Sequence, residues 1–256
     1  MTQTETNKLL SYILEILKMM VEAGAEIYRV EECATRICAS YGLGEANIFA
    51  TTSNIIMSVE IGDGIIKTHT RRVGYINNNI EKVHYLNDLV RKMCSEKLEL
   101  TLIADGIDKA KKISQYKPLI VYLFYGVVAG SFYLFFGGRS ITELAISTIV
   151  GLLVGIINDF LARLNANRML IRFVCSLFAC TTAIICRNLN IISSIDYIII
   201  GNIMTLIPGV GLTNALRDLF AGDSISGILR LIEAILLALS IACGYIVSVF
   251  VFGGVA

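Results

Sequence analysis

Five apolar runs, each close to the length that crosses a membrane, occupy the second half of the chain. They are Leu119–Phe136, Ile141–Ile157, Met169–Cys186, Ile191–Ile207 and Ile225–Phe252. A spanning helix needs about 20 apolar residues, and a bilayer offers no water to free backbone groups, so such runs have to fold as helices. The sequence therefore predicts an α-helical polytopic membrane protein with about five transmembrane helices.

Charged residues are concentrated before these runs. Residues 1–117 hold 15 of the 22 Lys and Arg and 15 of the 21 Asp and Glu, which leaves 7 and 6 for residues 118–256. The chain is 17% charged, below the roughly 25% of soluble proteins. We predict two domains, a polar one over 1–117 and a transmembrane bundle over 118–256. The net charge of +1 does not favour nucleic acid as a partner.

Residues 1–117 show helical periodicity first and β periodicity afterwards. Helices are predicted over 7–41 with an interruption at Gly24, and then at about Ile80–Lys97 and Leu100–Ser114. Short segments rich in β-branched residues are predicted to be strands: Ile48–Thr51, Ile55–Ile61 and Ile65–Arg71, with Gly62-Asp63-Gly64 as a hairpin turn. This domain is predicted to be α+β with a small antiparallel sheet.

Basic residues set the expected orientation. They flank one set of span ends, at Lys109, Lys111, Lys112, Lys117, Arg163, Arg168, Arg172, Arg217 and Arg230, whereas the opposite ends carry Arg139 and Arg187. The positive-inside rule then predicts a cytoplasmic N-terminal domain and an external C-terminus. The polar start of the chain has no signal-peptide pattern.

A polar segment from Pro208 to Glu233 separates the last two runs. Pro208 and Gly209 predict a kink or an end in the preceding helix. The segment carries side chains that are charged or that bond strongly: Thr213, Asn214, Arg217, Asp218, Asp223, Ser226, Arg230 and Glu233. Broken helices beside polar residues form the binding sites of many transporters, whereas a cytoplasmic loop would have the same composition. The sequence leaves both interpretations open.

Small residues predict where the membrane helices touch. Gly126 and Gly130 form one GxxxG pair, and Gly151 and Gly155 form another. Asp159 continues the stripe of Gly151 and Gly155 at four-residue spacing, which places it on the protein-facing side of its helix. Alternatively, Asp159 ends that helix at the membrane surface and pairs with Arg163.

No enzyme or metal motif stands out in the polar domain. Glu26, Arg29, Glu31, Glu32 and Arg36 crowd one predicted helix, in which Arg29–Glu32 and Glu32–Arg36 have the spacing of a salt-bridged, solvated face. The chain lacks Walker A, G-x-S-x-G and H-E-x-x-H motifs, and its two histidines have no ligand-spaced neighbour. Its seven cysteines form no CxxC pair. We therefore expect no cofactor, no zinc site and no structural disulfide.

Two long motifs together resemble the bacterial threonine/serine exporter family. One runs from Pro208 to Ala234 as PG-x-x-x-TNA-x-RD-x-x-x-GD-x-x-SG-x-x-R-x-x-EA, and the other is GAEIYRVEE at Gly24–Glu32. Asn87–Arg91 matches a third motif. The positions that the resemblance marks are Gly24, Glu26, Tyr28, Arg29, Glu31, Glu32, Arg36, Pro208, Gly209, Thr213, Asn214, Arg217, Asp218, Gly222, Asp223, Ser226, Gly227, Arg230 and Glu233.

The resemblance implies a soluble domain before a bundle of about five helices. It is closest to the larger subunit of split family members, which implies a small membrane subunit as partner; a homo-oligomer is left open. It also implies export of threonine and serine, or of dicarboxylates in split members, across the inner membrane with the proton gradient.

A substrate carboxylate needs a cation, which Arg217 or Arg230 would supply. Proton coupling needs an acid that changes charge, for which Asp218, Asp223, Glu233 and Asp159 are the candidates. The alternatives are a membrane-anchored hydrolase with catalysis in residues 1–117 and a non-transporting regulatory subunit.

Overall fold

The protein is described by a computed structural model that covers residues 2–61, 64–74, 76–113 and 116–252. Helices dominate the described residues, and three strands form one sheet. In chain order the elements are α1 Gln3–Glu22, α2 Ile27–Ser40, β1 Ala46–Ala50, β2 Asn54–Glu60, β3 Ile66–Arg72, α3 Ile80–Glu96, α4 Leu100–Lys112, α5 Pro118–Phe135, α6 Ile141–Arg163, α7 Arg168–Asn188, α8 Asp196–Met204, α9 Gly209–Ala221 and α10 Ser224–Phe252.

The chain divides into two compact units. Unit 1 contains Met1–Gln115 and Val210–Leu231, and unit 2 contains Tyr116–Gly209 and Ile232–Ala256. The domain division at Lys117–Pro118 stays a prediction, but Val210–Leu231 is grouped with the N-terminal residues. Most of α9 and the start of α10 therefore belong to unit 1.

Helix α1 provides the centre of the core of unit 1. Leu10, Ile13 and Leu17 are fully buried, and their spacing of three and four residues places them on one helical face. The helix begins with a capping box, in which the Thr2 side chain accepts from the Glu5 backbone and the Glu5 side chain accepts from the Thr2 backbone. The helix predicted from hydrophobic periodicity is confirmed.

Gly24 separates α1 from α2, as predicted. Its φ is +92°, a conformation that side chains other than glycine rarely adopt. A Cβ at this position would also lie 2.5 Å from Asn78 Oδ1. The backbone therefore turns here at a residue that has no side chain to obstruct it.

The three strands form an antiparallel sheet in the order β1-β2-β3, as predicted. On β2, Ile55, Met57 and Val59 are buried, and the residues between them are half-buried. This alternation is the period-2 pattern of a strand with one face on a core. In the predicted hairpin turn, Gly62 and Asp63 lie outside the described residues, and Gly64 has a positive φ.

The paired glycines bring α5 and α6 of unit 2 into close contact. A Cβ on Gly126 would lie 2.7 Å from the Thr148 carbonyl oxygen, and one on Gly151 would lie 2.8 Å from the Tyr125 carbonyl oxygen. Only glycine allows backbones to approach this closely. The prediction that these GxxxG pairs mark a helix contact is confirmed.

Four of the five predicted spans are confirmed as helices long and apolar enough to cross a membrane. These are α5, α6, α7 and α10, and a fifth is reached if α8 and α9 are counted together as one bent span. The helical membrane architecture and the small sheet are therefore as predicted. The cytoplasmic placement of the N-terminal domain remains a prediction.

The prediction that Ile191–Ile207 forms a single spanning helix was wrong. Within that range α8 covers only Asp196–Met204, 9 residues, or about 14 Å at 1.5 Å per residue. Its start is delayed because the backbone amides of Ser193 and Ser194 donate to the Glu143 carboxylate. The chain then bends by 55° between α8 and α9. Pro208, the residue before α9, produces the predicted break because its ring removes a backbone donor.

We expect Gly24→Ala to lower the free energy of unfolding by about 1–2 kcal/mol, because an L-residue would be held at a positive φ. Thermal unfolding of the detergent-solubilised protein measures this change. Gly209→Ala is the matched control, since its added Cβ would meet nothing within 4 Å. Equal midpoints for the two variants would contradict this account of the turn.

Candidate functional site

Unit 1 brings residues from the two long family-like motifs, one beginning at Gly24 and the other at Pro208, into one polar cluster. Arg217, Asp218 and Arg230 come from α9 and α10, and Glu26 precedes α2. The contacts that α9 and α10 make with the α1–α2 region join residues about 190 or more apart in sequence, such as Ile27 and Asp218, which are 191 apart. We call Glu26, Arg217, Asp218 and Arg230 the charged cluster.

Asp218 and Arg230 form a buried ion pair. Arg230 Nε lies 3.3 Å from Asp218 Oδ2, and the two side chains are 6% and 0% exposed. Arg230 Nη2 also donates to the Ala25 carbonyl oxygen at 2.9 Å. Through these contacts Arg230 fixes the start of α10 to the α1–α2 turn. Removing either partner would leave the other charge buried and unpaired, which is costly.

Asp218 also caps α2. Its Oδ1 accepts from the backbone amide of Ile27, the first residue of α2, at 3.3 Å. The N-cap residue Glu26 makes no capping hydrogen bond of its own. Because the first amides of a helix lack intrahelical partners and carry partial positive charge, a carboxylate from α9 stabilises this helix start.

Glu26 holds two arginines at once. Its Oε1 contacts Arg217 Nη1, and its Oε2 lies 3.1 Å from Arg29 Nε. Burial alone would raise the pKa of Glu26, but hydrogen bonds from Arg217 and Tyr28 and the charges of Arg217 and Arg29 lower it below its ordinary value. Glu26 is therefore ionised. The Arg217 side chain, by contrast, is 60% exposed.

Uncharged motif residues bind the same part of unit 1. Asn214 Nδ2 donates to the Gly24 carbonyl oxygen at 3.1 Å, and Ser226 Oγ donates to the Ala50 carbonyl oxygen at 3.4 Å. The amide of Ala50 donates to Glu31 Oε1 at 2.7 Å. Ser226 and Glu31, one residue from each of the two long motifs, thus hold Ala50 at the end of β1.

Asp223 and Glu31 are two carboxyl groups whose pKa values are raised. For Asp223 the cause is burial, and for Glu31 it is burial together with the negative charge of Asp223. Asp223 Oδ2 is buried and accepts no hydrogen bond within the described ranges. A carboxyl group in this environment therefore keeps its proton to a higher pH than an exposed one does.

Two predicted site residues lie in unit 2, each beside an arginine. Glu233 Oε1 is 2.8 Å from Arg168 Nη1, and Asp159 Oδ2 is 2.9 Å from Arg163 Nη2. Tyr122 Oη donates to the same oxygen of Asp159. Helix α6 continues to Arg163, so Asp159 lies within the helix and does not end it.

The remaining predicted residues occupy other positions. Pro208 precedes α9, Gly209 is its first residue, and Thr213 is on an exposed side. Tyr28, Arg29, Glu32 and Arg36 line a pocket that α2 shares with α3. The described residues contain no group of three or more His, Cys, Asp or Glu side chains placed to hold a metal ion.

Sequence reasoning missed two buried polar groups of unit 2. Glu143, 5% exposed, accepts from Tyr133 Oη at 2.9 Å as well as from the amides of Ser193 and Ser194. Asn202 is fully buried in α8 and donates to Ser147 Oγ at 3.3 Å. Both were visible as polar residues within or at the start of apolar runs, a signal of functional interest in membrane helices.

Comparison with known proteins gives two matches. The family model described as "Putative threonine/serine exporter" matches residues 11–252. The chain is also 26% identical over 245 residues to a Klebsiella aerogenes protein named "Probable succinate transporter subunit YjjP", covering 91% of this chain and 90% of that protein. No solved structure matches the chain.

We expect Arg230→Ala to destabilise the protein far more than Arg217→Ala. The first leaves Asp218 charged and buried, at a cost of about 3–5 kcal/mol, whereas exposed pairs contribute about 0–1 kcal/mol. Arg217→Ala also leaves Glu26 paired with Arg29. Denaturant or thermal unfolding of the purified protein measures both.

The double variant Asp218→Asn/Arg230→Gln tests the cause of that loss. It leaves no buried charge alone, so it should recover part of the stability lost in Arg230→Ala. Equal losses in Arg217→Ala and Arg230→Ala would show that Asp218–Arg230 is not the stabilising pair.

Proposed function

Because this chain belongs to the threonine/serine exporter family, we propose that it is the larger subunit of a secondary exporter of small carboxylic or amino acids. Threonine, serine and dicarboxylates are the substrate classes, and an ion gradient supplies the energy. The family is one of transporters, and the apolar helices make the chain a multi-pass membrane protein. The name of the Klebsiella aerogenes relative, a probable succinate transporter subunit, favours a dicarboxylate.

The exposure of the Arg217 side chain is the observation that carries this proposal. This side chain is 60% exposed, and within the described residues its ion pair is with one carboxylate, that of Glu26. A substrate carboxylate has the same chemistry as the Glu26 side chain, and arginine binds either through two parallel hydrogen bonds. Arg217 is therefore the substrate-binding cation of our proposal.

Arg230 has a different role in this proposal. It is buried and bonded to Asp218 and to the Ala25 carbonyl oxygen, so a substrate would have to break both contacts to reach it. Breaking a buried pair is costly. Arg230 and Asp218 accordingly hold α9 and α10 in place, and the exchange of carboxylates takes place at Arg217.

The bend between α8 and α9 supports a transport role for this segment. Transporters place discontinuous helices at their substrate and ion sites, because the broken ends provide free backbone groups. Here the break at 205–208 lies directly before the helix that carries Asn214, Arg217 and Asp218. Asp159 and Glu233, which are ion-paired in unit 2, remain candidates for contacts along the path.

Asp223 is the proton carrier in this proposal. Of the four acids considered for that role, Asp218, Asp159 and Glu233 each form an ion pair. Burial raises the pKa of Asp223, so it takes up and releases a proton closer to neutral pH than an exposed carboxylate would. Such an acid suits coupling to a proton gradient.

The chain would work with a small membrane subunit of the same family. The Klebsiella aerogenes relative is named as a subunit, and the described residues provide four or five spans. A second copy of this chain is the alternative partner. We further propose that the basic flanks place unit 1 in the cytoplasm of a bacterium and the C-terminus outside its inner membrane.

Reconstitution into liposomes tests this function. We expect the chain with its small partner to release labelled succinate, threonine or serine, and Arg217→Ala to reduce the initial rate at least tenfold at normal protein levels. Arg217→Lys should retain part of the rate, since lysine keeps the charge but loses the fork of donors. Lys112→Ala is the control for charge removal in the polar domain.

Three outcomes separate the proposal from its alternatives. Flux that needs the partner supports an exporter subunit, whereas unimpaired transport by Arg217→Ala contradicts the role of Arg217. Hydrolysis without flux would indicate the membrane-anchored hydrolase. Full flux by the partner alone would leave this chain a regulatory role.

Asp223→Asn tests the proton step. We expect wild-type efflux to change with pH through the raised pKa of Asp223, and the variant, which cannot ionise, to lose that dependence. Glu96→Gln, which removes an exposed carboxyl group at the end of α3, is the matched control and should keep the wild-type pH dependence. The measurement is the initial efflux rate across the pH range. An unchanged pH profile in Asp223→Asn would exclude Asp223 as the proton carrier.

A further inference from the structure

Helices α2 and α3 enclose a pocket of about 280 Å³ within unit 1. Three arginines line it: Arg29 and Arg36 from α2, and Arg91 from α3. Tyr28 and Asn87 add a hydroxyl and an amide, and Cys33 lies on the same wall. Apart from Cys33, these residues belong to the motifs that resemble the exporter family, but the charged cluster does not use most of them.

The arginines of this pocket have N–H donors that a ligand could use. Arg29 uses Nε for Tyr28 and Glu26, and its two terminal nitrogens make no hydrogen bond to the described part of the chain. Arg36 lies 3.6 Å from Glu32, and Arg91 lies 3.6 Å from Asp88. Both distances exceed that of a hydrogen bond, so these are loose pairs between exposed side chains.

The pocket lining favours a ligand that carries carboxylates. It holds three arginines and one acid, Glu32, and the partners Glu26 and Asp88 contact Arg29 and Arg91 from outside the lining. Planar guanidinium groups match carboxylates, because two parallel N–H donors meet two oxygens. An acid with two carboxylates would match two guanidinium groups, whereas a zwitterion would bring its own positive charge.

The volume restricts the ligand to a small molecule. Drug-sized ligands occupy pockets of roughly 300–1,000 Å³, so 280 Å³ is at the small end of this range. Val90 is buried on one wall and Asn87 is half-buried. Carbon atoms between two carboxylates would lie against Val90, and the carboxylates would face the arginines.

We propose that this α2–α3 pocket binds a small dicarboxylate, at a site separate from Arg217. Arg36 from α2 and Arg91 from α3, which both line the pocket, bind its carboxylates, and Arg29 contributes its terminal nitrogens. The site does not depend on the transport step, since binding there requires neither a gradient nor a partner subunit.

Arg29 connects this pocket with the charged cluster. Glu26 is shared between Arg29 and Arg217, so a dianion that draws on Arg29 competes with Glu26 for it. Glu26 would then interact more strongly with Arg217. Occupancy of the pocket therefore strengthens the contact that a transported carboxylate has to displace.

Calorimetric titration of the full chain in nanodiscs, with no gradient and no partner, tests this site. We expect succinate to bind and Arg36→Gln/Arg91→Gln to weaken binding at least tenfold. Arg72→Gln removes an exposed arginine outside the pocket and should bind as the wild type does. Arg217→Gln should also retain binding, which separates this site from the proposed transport site.

Labelling of Cys33 reports on the pocket directly. Peptide mass spectrometry after N-ethylmaleimide treatment should show that succinate slows modification of Cys33 in the wild type but not in Arg36→Gln/Arg91→Gln. Threonine and inorganic phosphate serve as competing probes, and tighter binding of either would overturn the dicarboxylate assignment. Succinate binding that survives in Arg36→Gln/Arg91→Gln, is lost in Arg217→Gln, or is absent at millimolar concentration would overturn the site.

Discussion

The buried ion pair between Asp218 and Arg230 is the interaction on which unit 1 depends. It fixes α9 to the start of α10, and the same two side chains bind the Ala25 carbonyl oxygen and the Ile27 amide at the α1–α2 turn. A buried charge without its partner would cost several kcal/mol, so neither residue can be replaced alone without loss. The polar groups that surround the pair, including Asn214 and Ser226, then add hydrogen bonds to a geometry that the pair has already set.

Local patterns predicted most of the fold, because they depend on neighbours in sequence. Hydrophobic periodicity located α1, the strands of the sheet and four membrane helices, and GxxxG spacing located the contact between α5 and α6. The exception is Ile191–Ile207, which is apolar enough to span but forms only the short helix α8. Its start is set by the Glu143 carboxylate, which binds amides that lie 50 and 51 residues away in sequence. No local pattern reports a contact over that distance.

The sequence marked the residues of the charged cluster but not their pairings. Broken-helix chemistry and the resemblance to a family pointed to Arg217, Asp218 and Arg230, and the same resemblance marked Glu26 and Arg29. Sequence spacing explains the pair between Glu26 and Arg29, which is i,i+3, but not the one between Glu26 and Arg217, which are 191 residues apart. The sequence did not indicate exposure either. Arg217 and Arg230 occur in the same motif, but the Arg217 side chain is 60% exposed and the Arg230 side chain is 6% exposed. The sequence therefore could not assign them different roles.

Glu26 explains how an exposed arginine in this cluster could exchange partners at low cost. If an incoming carboxylate takes Arg217, Glu26 still faces Arg29 at 3.1 Å, so its nearly buried charge is not left alone. Arg29 in turn has an exposed side chain, and its terminal nitrogens make no hydrogen bond to the described residues, so it can follow Glu26 without breaking a buried bond. The Asp218–Arg230 pair differs, since both side chains are buried and lie 3.3 Å apart. One cluster thus contains a buried pair that maintains the fold and an exposed pair that, in our proposal, binds and releases a carboxylate.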